Sequence, residues 1–397
     1  MTKDARLERA VWRDVLACAG YFLGSRLLVF ALAVLAPLVI QTQRYATRPL
    51  FSAIEWSRYF NRWDVNWYLQ VARDGYQFLP GAECNVVFFP LFPLLLKGLM
   101  SLGVEGILAG VLISNTCFLG AIVLLQALVR EETGDDVLSH RAAQLLAWSP
   151  AGAWFFLGLT ESLYLFLTLL LVVSLRKERW ILATVVGIGC GLTRPTGLIL
   201  AAPALVLALP VILRASRERR WGQSLIAFIA GLGPALGHAL FAFYLQLRFG
   251  HALVYQEVSR QQWGNHLVFD AETLGARLPG LGLRLFDNGS FYVEHVAWSW
   301  TLVGFLSVLS LVSLWERRAA LWHVALLLAF LGLHAFMMQG HVPVGPVARY
   351  AAVVPSFYLA LVWITKGREA LWPLLLAGSS ALLVLQTLLL FAGYHLN

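Results

Sequence analysis

The sequence predicts an all-α polytopic membrane protein, on three observations. Its 397 residues are 59% hydrophobic and only 13% charged, where a soluble domain carries roughly 25% charged residues. Apolar runs of about 20 residues, long enough to cross a bilayer, recur along the whole chain. The cations between them gather in very short loops, as cytoplasmic anchoring requires, and they account for the formal net charge of +8. That charge needs no nucleic-acid partner to explain it.

Met1–Arg13 is charged and precedes the first run, Val15–Ile40. The run is too long for a signal-peptide core, and its Ala-x-Ala triplets lie inside it, so it reads as a retained span. A polar-aromatic loop, 41–86, follows. Val87–Gly103 is apolar but holds Pro90, Pro93 and Lys97, which predicts a re-entrant or interfacial helix rather than a crossing. Further spans are Gly106–Val129, Ala142–Leu157, Ser162–Leu175, Ile181–Thr193, Gly197–Leu213 and Leu225–Leu247. After a second long loop, 248–295, come Val296–Leu314, Leu321–Met338, Ala348–Ile364 and Leu371–Ala392. This gives a bundle of about 11 transmembrane helices, read as one domain over 1–397.

Loop charge orients the bundle. With the N-terminus inside, Arg130 and Arg141, then Arg176, Lys177 and Arg179, then Arg214, Arg217, Arg219 and Arg220, then Arg317 and Arg318, and last Lys366 and Arg368 all fall on the cytoplasmic side. Counting Val87–Gly103 as a full crossing would move every later cluster to the wrong side. The cytoplasmic loops have no room for a nucleotide-binding fold, and neither GxxxxGK[ST] nor a strand-to-helix GxGxxG occurs. The chemically diverse segments all map to the outer face. A membrane-bound activated donor suits that side, where nucleotide-activated substrates are not normally supplied. Of the four cysteines, Cys18, Cys117 and Cys190 fall in apolar segments and Cys84 stands alone in a loop, so neither a disulfide framework nor a zinc site is indicated.

The outer-face chemistry centres on residues 60–76. A helix from about Trp63 to Asp74 places Val65, Tyr68, Leu69 and Ala72 on one face, with Arg62, Asp64, Asn66 and Arg73 around the rest. Such an amphipathic helix, with Trp63, Trp67 and Tyr68, suits a membrane–water boundary. Near the same boundary fall Tyr76, Glu83, the run Phe88-Phe89-Pro90-Leu91-Phe92-Pro93, Thr160-Glu161-Ser162, Thr193-Arg194-Pro195-Thr196, Gln261-Gln262-Trp263-Gly264, His341 and Arg349-Tyr350. Ionisable groups at membrane depth are costly and invite a functional reading.

Plainer readings stand beside each. Asp64 fits a helix cap as well as a catalytic base. Glu161 fits a first-turn acid as well as a site residue. Arg194 before Pro195 fits a helix break with a snorkelling side chain as well as a ligand contact. Gln262 and Trp263 fit an interfacial anchor as well as a substrate contact, and Arg349 fits a plain loop cation. The Phe-Pro run reads as packing. Arg26, inside the first span, is either paired within the bundle or snorkelling. As a set, one acid, several arginines and stacking aromatics match glycosyl transfer from a lipid phosphate. A carboxylate takes the proton of the attacking hydroxyl, and arginine forks hold the leaving phosphate. Metal is the weaker option, because Asp64-Val65-Asn66 is no Asp-x-Asp pair and the histidines are scattered.

These residues also carry a resemblance. Arg62-Trp63-Asp64-x-x-Trp67-Tyr68, then Ala72-Arg73-Asp74-Gly75-Tyr76, then the Phe-Pro run resemble the signature of the GPI mannosyltransferase II (PIG-V-like) family. Ser149-Pro150 with Thr160-Glu161-Ser162-Leu163, then Gly191-Leu192-Thr193-Arg194-Pro195-Thr196-Gly197-Leu198, Gln262-Trp263-Gly264 and Ala348-Arg349-Tyr350 follow in the same order. Pro195-Thr196 stands where that family has Ser-Asn. The resemblance spans about residues 60–355. It implies a GT-C fold and an inverting, metal-independent transfer of a hexose, mannose in this family, from a polyprenyl- or dolichyl-phosphate-linked donor, with no cofactor. It implies Asp64 as base. Arg194 and Arg349 are the expected phosphate ligands. Arg62, Trp63, Asn66, Trp67, Tyr68, Arg73, Tyr76, Glu161, Gln262, Trp263 and Tyr350 are the expected substrate contacts.

The expected partners are the lipid-linked donor, a lipid or glycan acceptor and membrane lipids, without nucleic acid. The compact, Ala/Leu/Arg-rich chain reads as a multi-pass protein of a bacterial plasma membrane with an extracytoplasmic site, or of the ER with a luminal one if eukaryotic. The competing function is a membrane transporter or lipid flippase, which would need a polar path and repeated halves. No internal repeat is seen. A scaffold without chemistry is the third reading.

Overall fold

The computed structural model describes residues 3–40, 60–268, 295–316, 320–339, 342–343 and 347–393. In chain order its first helices are α1 (Lys3–Val39), α2 (Val65–Asp74), α3 (Leu91–Ser101), α4 (Gly106–Thr133), α5 (Asp136–Ala147), α6 (Gly152–Phe156), α7 (Glu161–Arg176) and α8 (Trp180–Thr193). Then come α9 (Ala201–Arg217), α10 (Trp221–Phe249), α11 (Val254–Gln261), α12 (His295–Glu316), α13 (Leu321–Ala335), α14 (Val347–Ala351), α15 (Pro355–Ile364) and α16 (Leu371–Phe391). The chain divides into two compact units. Met1–Val65, Leu99–Leu169 and Tyr358–His395 make one; Asn66–Gly98, Leu170–Phe357 and Leu396–Asn397 make the other.

Among the described residues, five helical stretches are long and apolar enough to cross a membrane: Trp12–Val39, Gly106–Thr133, Pro195–Arg217, Trp221–Phe249 and Leu371–Phe391. Several stretches expected as single spans are interrupted, most of them at prolines. Ala142–Leu157 is two helices, α5 and α6, parted at Ser149-Pro150. Ala348–Ile364 is α14 and α15, parted before Pro355. Proline lacks an N–H and drives the residue before it out of the helical region, so each break is local chemistry that hydropathy does not register. The proline-bearing Val87–Gly103 stretch contains only α3, with 11 residues, or about 16 Å at 1.5 Å per residue.

In the first unit α1 packs on α4, α5, α6 and α16. The break at Pro150 is closed by side chains from afar. Ser379 donates to the Trp148 carbonyl at 2.9 Å, and the Tyr358 hydroxyl donates to Ser149 Oγ at 3.3 Å. These bonds return partners to backbone and side chains that the helix no longer serves. Arg26 is buried and does not snorkel. Its guanidinium donates to the Gly152 carbonyl at 3.0 Å and lies 4.5 Å from the Phe118 ring centroid.

In the second unit the central packing is α8 on α10 and α10 on α9. Gly187 and Gly191 on α8 face Gly233 and Gly237 on α10. A Cβ at Gly187 would lie 3.0 Å from the Gly233 Cα, and one at Gly191 or Gly237 would overlap the Pro234 or Ile188 carbonyl oxygen. Both pairs have four-residue spacing, the small-x-x-x-small pattern that lets helix backbones approach within a bilayer. The pattern is visible in the sequence, but only the fold shows the two pairs facing one another.

The unit also contains a small antiparallel sheet outside the expected all-α reading. It runs in the order β1 (Asn265–Leu267), β2 (Met337–Gln339), β3 (Val342–Pro343). It ends α13 at Ala335, short of the expected boundary at Met338. Three residues are too few for period-2 alternation to stand out from an apolar helix.

Candidate active site

Asp64 sits where the chain turns into α2. The Val65 N–H donates to the Arg62 carbonyl at 3.3 Å, and Trp63 holds a left-handed backbone, φ +54. The helix therefore starts at Val65, two residues later than the periodicity predicts. Non-glycine residues rarely adopt this conformation, and it persists only where the surroundings enforce it. Here the Trp63 indole stands edge-on to buried Trp154, with centroids 4.9 Å apart. One residue of the first unit's aromatic core thus fixes the turn that presents Asp64. Phe60, also buried, packs on Phe30, Phe156 and Phe391 in the same unit.

The predicted face of α2 is buried: Val65, Tyr68, Leu69 and Ala72 are all under 9% exposed. Asn66 and Arg73 are exposed, and Arg62 and Asp64 are half-buried. In the second unit, Trp67 stacks on Phe88 with centroids 5.7 Å apart and planes within 13°, and Trp263 meets both rings edge-on. The Trp263 indole N–H is enclosed without a hydrogen-bond partner among the described residues. Gln262, beside it, is half-buried. Two more aromatics predicted as substrate contacts also have partners within the protein. Tyr68 packs its ring against Phe88 and Phe92, and Tyr76 donates its hydroxyl to the Phe88 carbonyl at 2.6 Å with its ring against Phe241 and Tyr244. Burial pushes the Tyr76 phenol well above its ordinary range, which keeps it a donor.

Arg194 follows the last residue of α8 in extended conformation, φ −152 and ψ 154, because Pro195 starts the next turn, a 3₁₀ segment over Pro195–Leu200. Its guanidinium lies 5.3 Å from the Tyr350 ring centroid, within cation–π range. The second unit therefore brings Arg194 beside the segment that carries Arg349, and both arginines are buried. His334 packs its ring 5.3 Å from the same tyrosine, while its Nδ1–H donates to the Phe330 carbonyl at 2.9 Å. In the first unit, Glu161 opens α7 fully buried, and Ser162 Oγ donates to the Phe155 carbonyl at 3.0 Å. Glu83 is exposed, and His341 lies outside the described residues.

Sequence reasoning misses Trp154, Asn85 and His334, since each is an isolated polar or aromatic residue in an otherwise unremarked stretch. Phe88 reads only as packing in the sequence, because its partners leave no separate signal there.

Residues 16–215 match the family model described as Mannosyltransferase (PIG-V). The match covers half of the 397 residues. The chain belongs to the PIG-V mannosyltransferase family. Among relatives in that family, GPI alpha-1,6-mannosyltransferase 2 of Cricetulus griseus is 33% identical over 131 residues, 30% of this chain and 25% of that protein. The Rattus norvegicus protein is 32% identical over 152 residues, 35% of this chain and 30% of that one. This PIG-V family chain thus aligns with less than a third of the length of the relatives it matches. Its fold is similar to that of the Archaeoglobus fulgidus oligosaccharyltransferase in complex with Zn and sulfate, with TM-score 0.50 and 15% identity, covering 94% of this chain and 53% of that one. At that identity the likeness speaks to the fold alone. The transporter reading is not favoured.

Proposed function

We propose that the protein is an inverting glycosyltransferase that moves a hexose, mannose by family, from a polyprenyl- or dolichyl-phosphate carrier to an acceptor hydroxyl at the extracytoplasmic membrane face. The observation that carries the reading is the family match over 16–215, which takes in Asp64, Glu161 and Arg194. In this reading Asp64 removes the proton of the acceptor hydroxyl as its oxygen bonds to the anomeric carbon. The bond from that carbon to the phosphate oxygen breaks on the opposite face, and the anomeric configuration inverts. The departing lipid phosphate keeps the electron pair. Arg194 and Arg349 hold it, since a guanidinium offers a planar fork of donors that matches phosphate oxygens. Trp67 and Trp263 supply aromatic faces for the sugar and acceptor.

General-base catalysis contributes about 10²–10⁴ in rate, which sets the scale of the test. The protein is purified in detergent and incubated with radiolabelled polyprenyl-phosphate-mannose and a membrane lipid extract. A labelled lipid product is expected, and Asp64→Asn should lose at least a hundredfold of the rate with an unchanged thermal melt. Wild-type turnover in a folded Asp64→Asn protein would end the base assignment. Equilibration of the intact donor across vesicles, without transfer, would instead favour a flippase.

A further inference from the structure

We infer that Asn85 is a positioning residue for the transfer reaction: its buried amide ties the turn after α2 to the Phe88 segment and so holds α2, and the Trp67 ring it carries, in working register. The inference rests on the reading of Trp67 as a substrate face given above. Asn85 is 1% exposed and uses both ends of its side chain. Its Oδ1 accepts the Gln77 backbone N–H at 2.8 Å. Its Nδ2 donates to the Gly75 carbonyl at 3.0 Å and reaches Gln70 Oε1, on α2 itself, at 3.5 Å.

Those contacts sit where α2 leaves its axis. The Gly75 N–H closes the last turn on the Val71 carbonyl, and Gly75 takes φ +77, which only glycine adopts without strain. From there the chain passes Tyr76, whose hydroxyl donates to the Phe88 carbonyl at 2.6 Å. Asn85 and Tyr76 thus staple the same turn to the 3₁₀ segment Asn85–Val87 and to Phe88 just after it. That segment is itself anchored: Cys84, Val86 and Phe89 are buried among Phe241, Leu245, Val254, Tyr255 and Val258 of α10 and α11.

The chemistry demands an amide. The Gln77 N–H needs an acceptor and the Gly75 carbonyl a donor, and among side chains of this size only asparagine supplies both in that geometry. A carboxylate keeps the first bond and turns the second into repulsion. The region needs a fixed platform because Trp67, one turn into α2, stacks on Phe88. If α2 slides along the Phe88 segment, that stack and the ring face proposed for the substrate shift together. A displacement of about 1 Å costs about a hundredfold in rate where orientation matters.

The test compares Asn85→Asp and Tyr76→Phe with wild type and Asp64→Asn in detergent, using radiolabelled polyprenyl-phosphate-mannose and the same lipid extract. Hydrogen exchange is followed on the peptide holding residues 75–78. Asn85→Asp is expected to exchange faster at Gln77, to melt within a few degrees of wild type, and to lose at least tenfold in kcat with donor KM within threefold. Tyr76→Phe should shift kcat in the same sense, and it carries the test if the Asn85 variant fails to fold. A kcat within twofold of wild type, or a rate loss that only tracks the folded fraction, overturns the inference. Asp64→Asn separates the two ideas: if it alone is inert while the Asn85 and Tyr76 variants work, positioning fails and the base stands. If Asp64→Asn is active, the base reading fails on its own.

Discussion

At the scale of single residues, Trp63 carries a testable conflict. A left-handed backbone costs a tryptophan about 1–3 kcal/mol, and its ring contact with Trp154 returns about 0.5–1.5 kcal/mol. Trp63→Gly removes both terms, which together shift stability by between about 0.5 kcal/mol of loss and about 2.5 kcal/mol of gain. The indole that seats the turn before Asp64 is lost, and transfer should fall at least tenfold. Parallel thermal melts and rate measurements check this; a fall in melting temperature large enough to explain the rate would show the ring acts only on folding. Arg194 offers a second prediction. Lysine keeps the charge but neither the fork nor the face that lies over Tyr350. A lost charged hydrogen bond is worth about 1.5–3 kcal/mol, so Arg194→Lys should lower kcat/KM roughly tenfold to a hundredfold. An unchanged kcat/KM would leave Arg194 as a structural cation at a helix break.

Between elements, the contact of α8 with α10 has least room for change. A methyl at Gly237 would meet the Ile188 carbonyl, which is backbone and cannot rotate away. Overpacking of this kind costs about 1–3 kcal/mol, so Gly237→Ala should lower the melting temperature in detergent. Gly20→Ala is the control: a Cβ at that position would meet nothing within 4 Å, and alanine is the better helix former by about 1 kcal/mol. The control should melt at or above wild type. Equal melts for both variants would show that α8 and α10 do not meet as described. The breaks at Pro150, Pro195 and Pro355 belong to this scale too. Their prolines are plain in the sequence, but helices tolerate proline when neighbours re-satisfy the backbone. Whether each one bends or ends its helix depends on partners such as Ser379 and Tyr358, hundreds of positions away.

For the whole molecule, orientation is the main expectation. Several cations counted as inner-face anchors have structural partners as well, Arg130, Arg141, Arg214, Arg220 and Lys366 among them. Arg130 pairs with Asp14 and, at 2.6 Å, with Asp136, and Arg141 pairs with Glu369 and donates to Thr365 Oγ at 2.9 Å. Lysine and arginine near span ends set topology whatever they later pair with, so these pairs do not argue against the expected orientation, which labelling tests. In intact cells a membrane-impermeant thiol reagent should label Glu83→Cys, and should label Lys177→Cys only after permeabilisation. Both positions are exposed, while Cys18, Cys84 and Cys190 are buried and Cys117 is partly buried, which keeps background low. The reverse pattern would put Asp64 on the cytosolic side and remove the argument for a lipid-linked donor.

Composition and loop charge were enough to specify a helical membrane protein, because a bilayer forces every spanning backbone to satisfy itself and writes that demand as hydropathy. The motif around Asp64 was legible too, because its residues are neighbours in the chain. Asn85, Trp154, the facing glycines of α8 and α10, and the place of Arg194 beside Tyr350 were decided only by tertiary structure. Trp154, the facing glycines and Arg194 depend on partners far away in sequence, and Asn85 on groups 8 to 15 residues back across a loop; local pattern does not encode which segment will arrive with the matching donor, ring or open space.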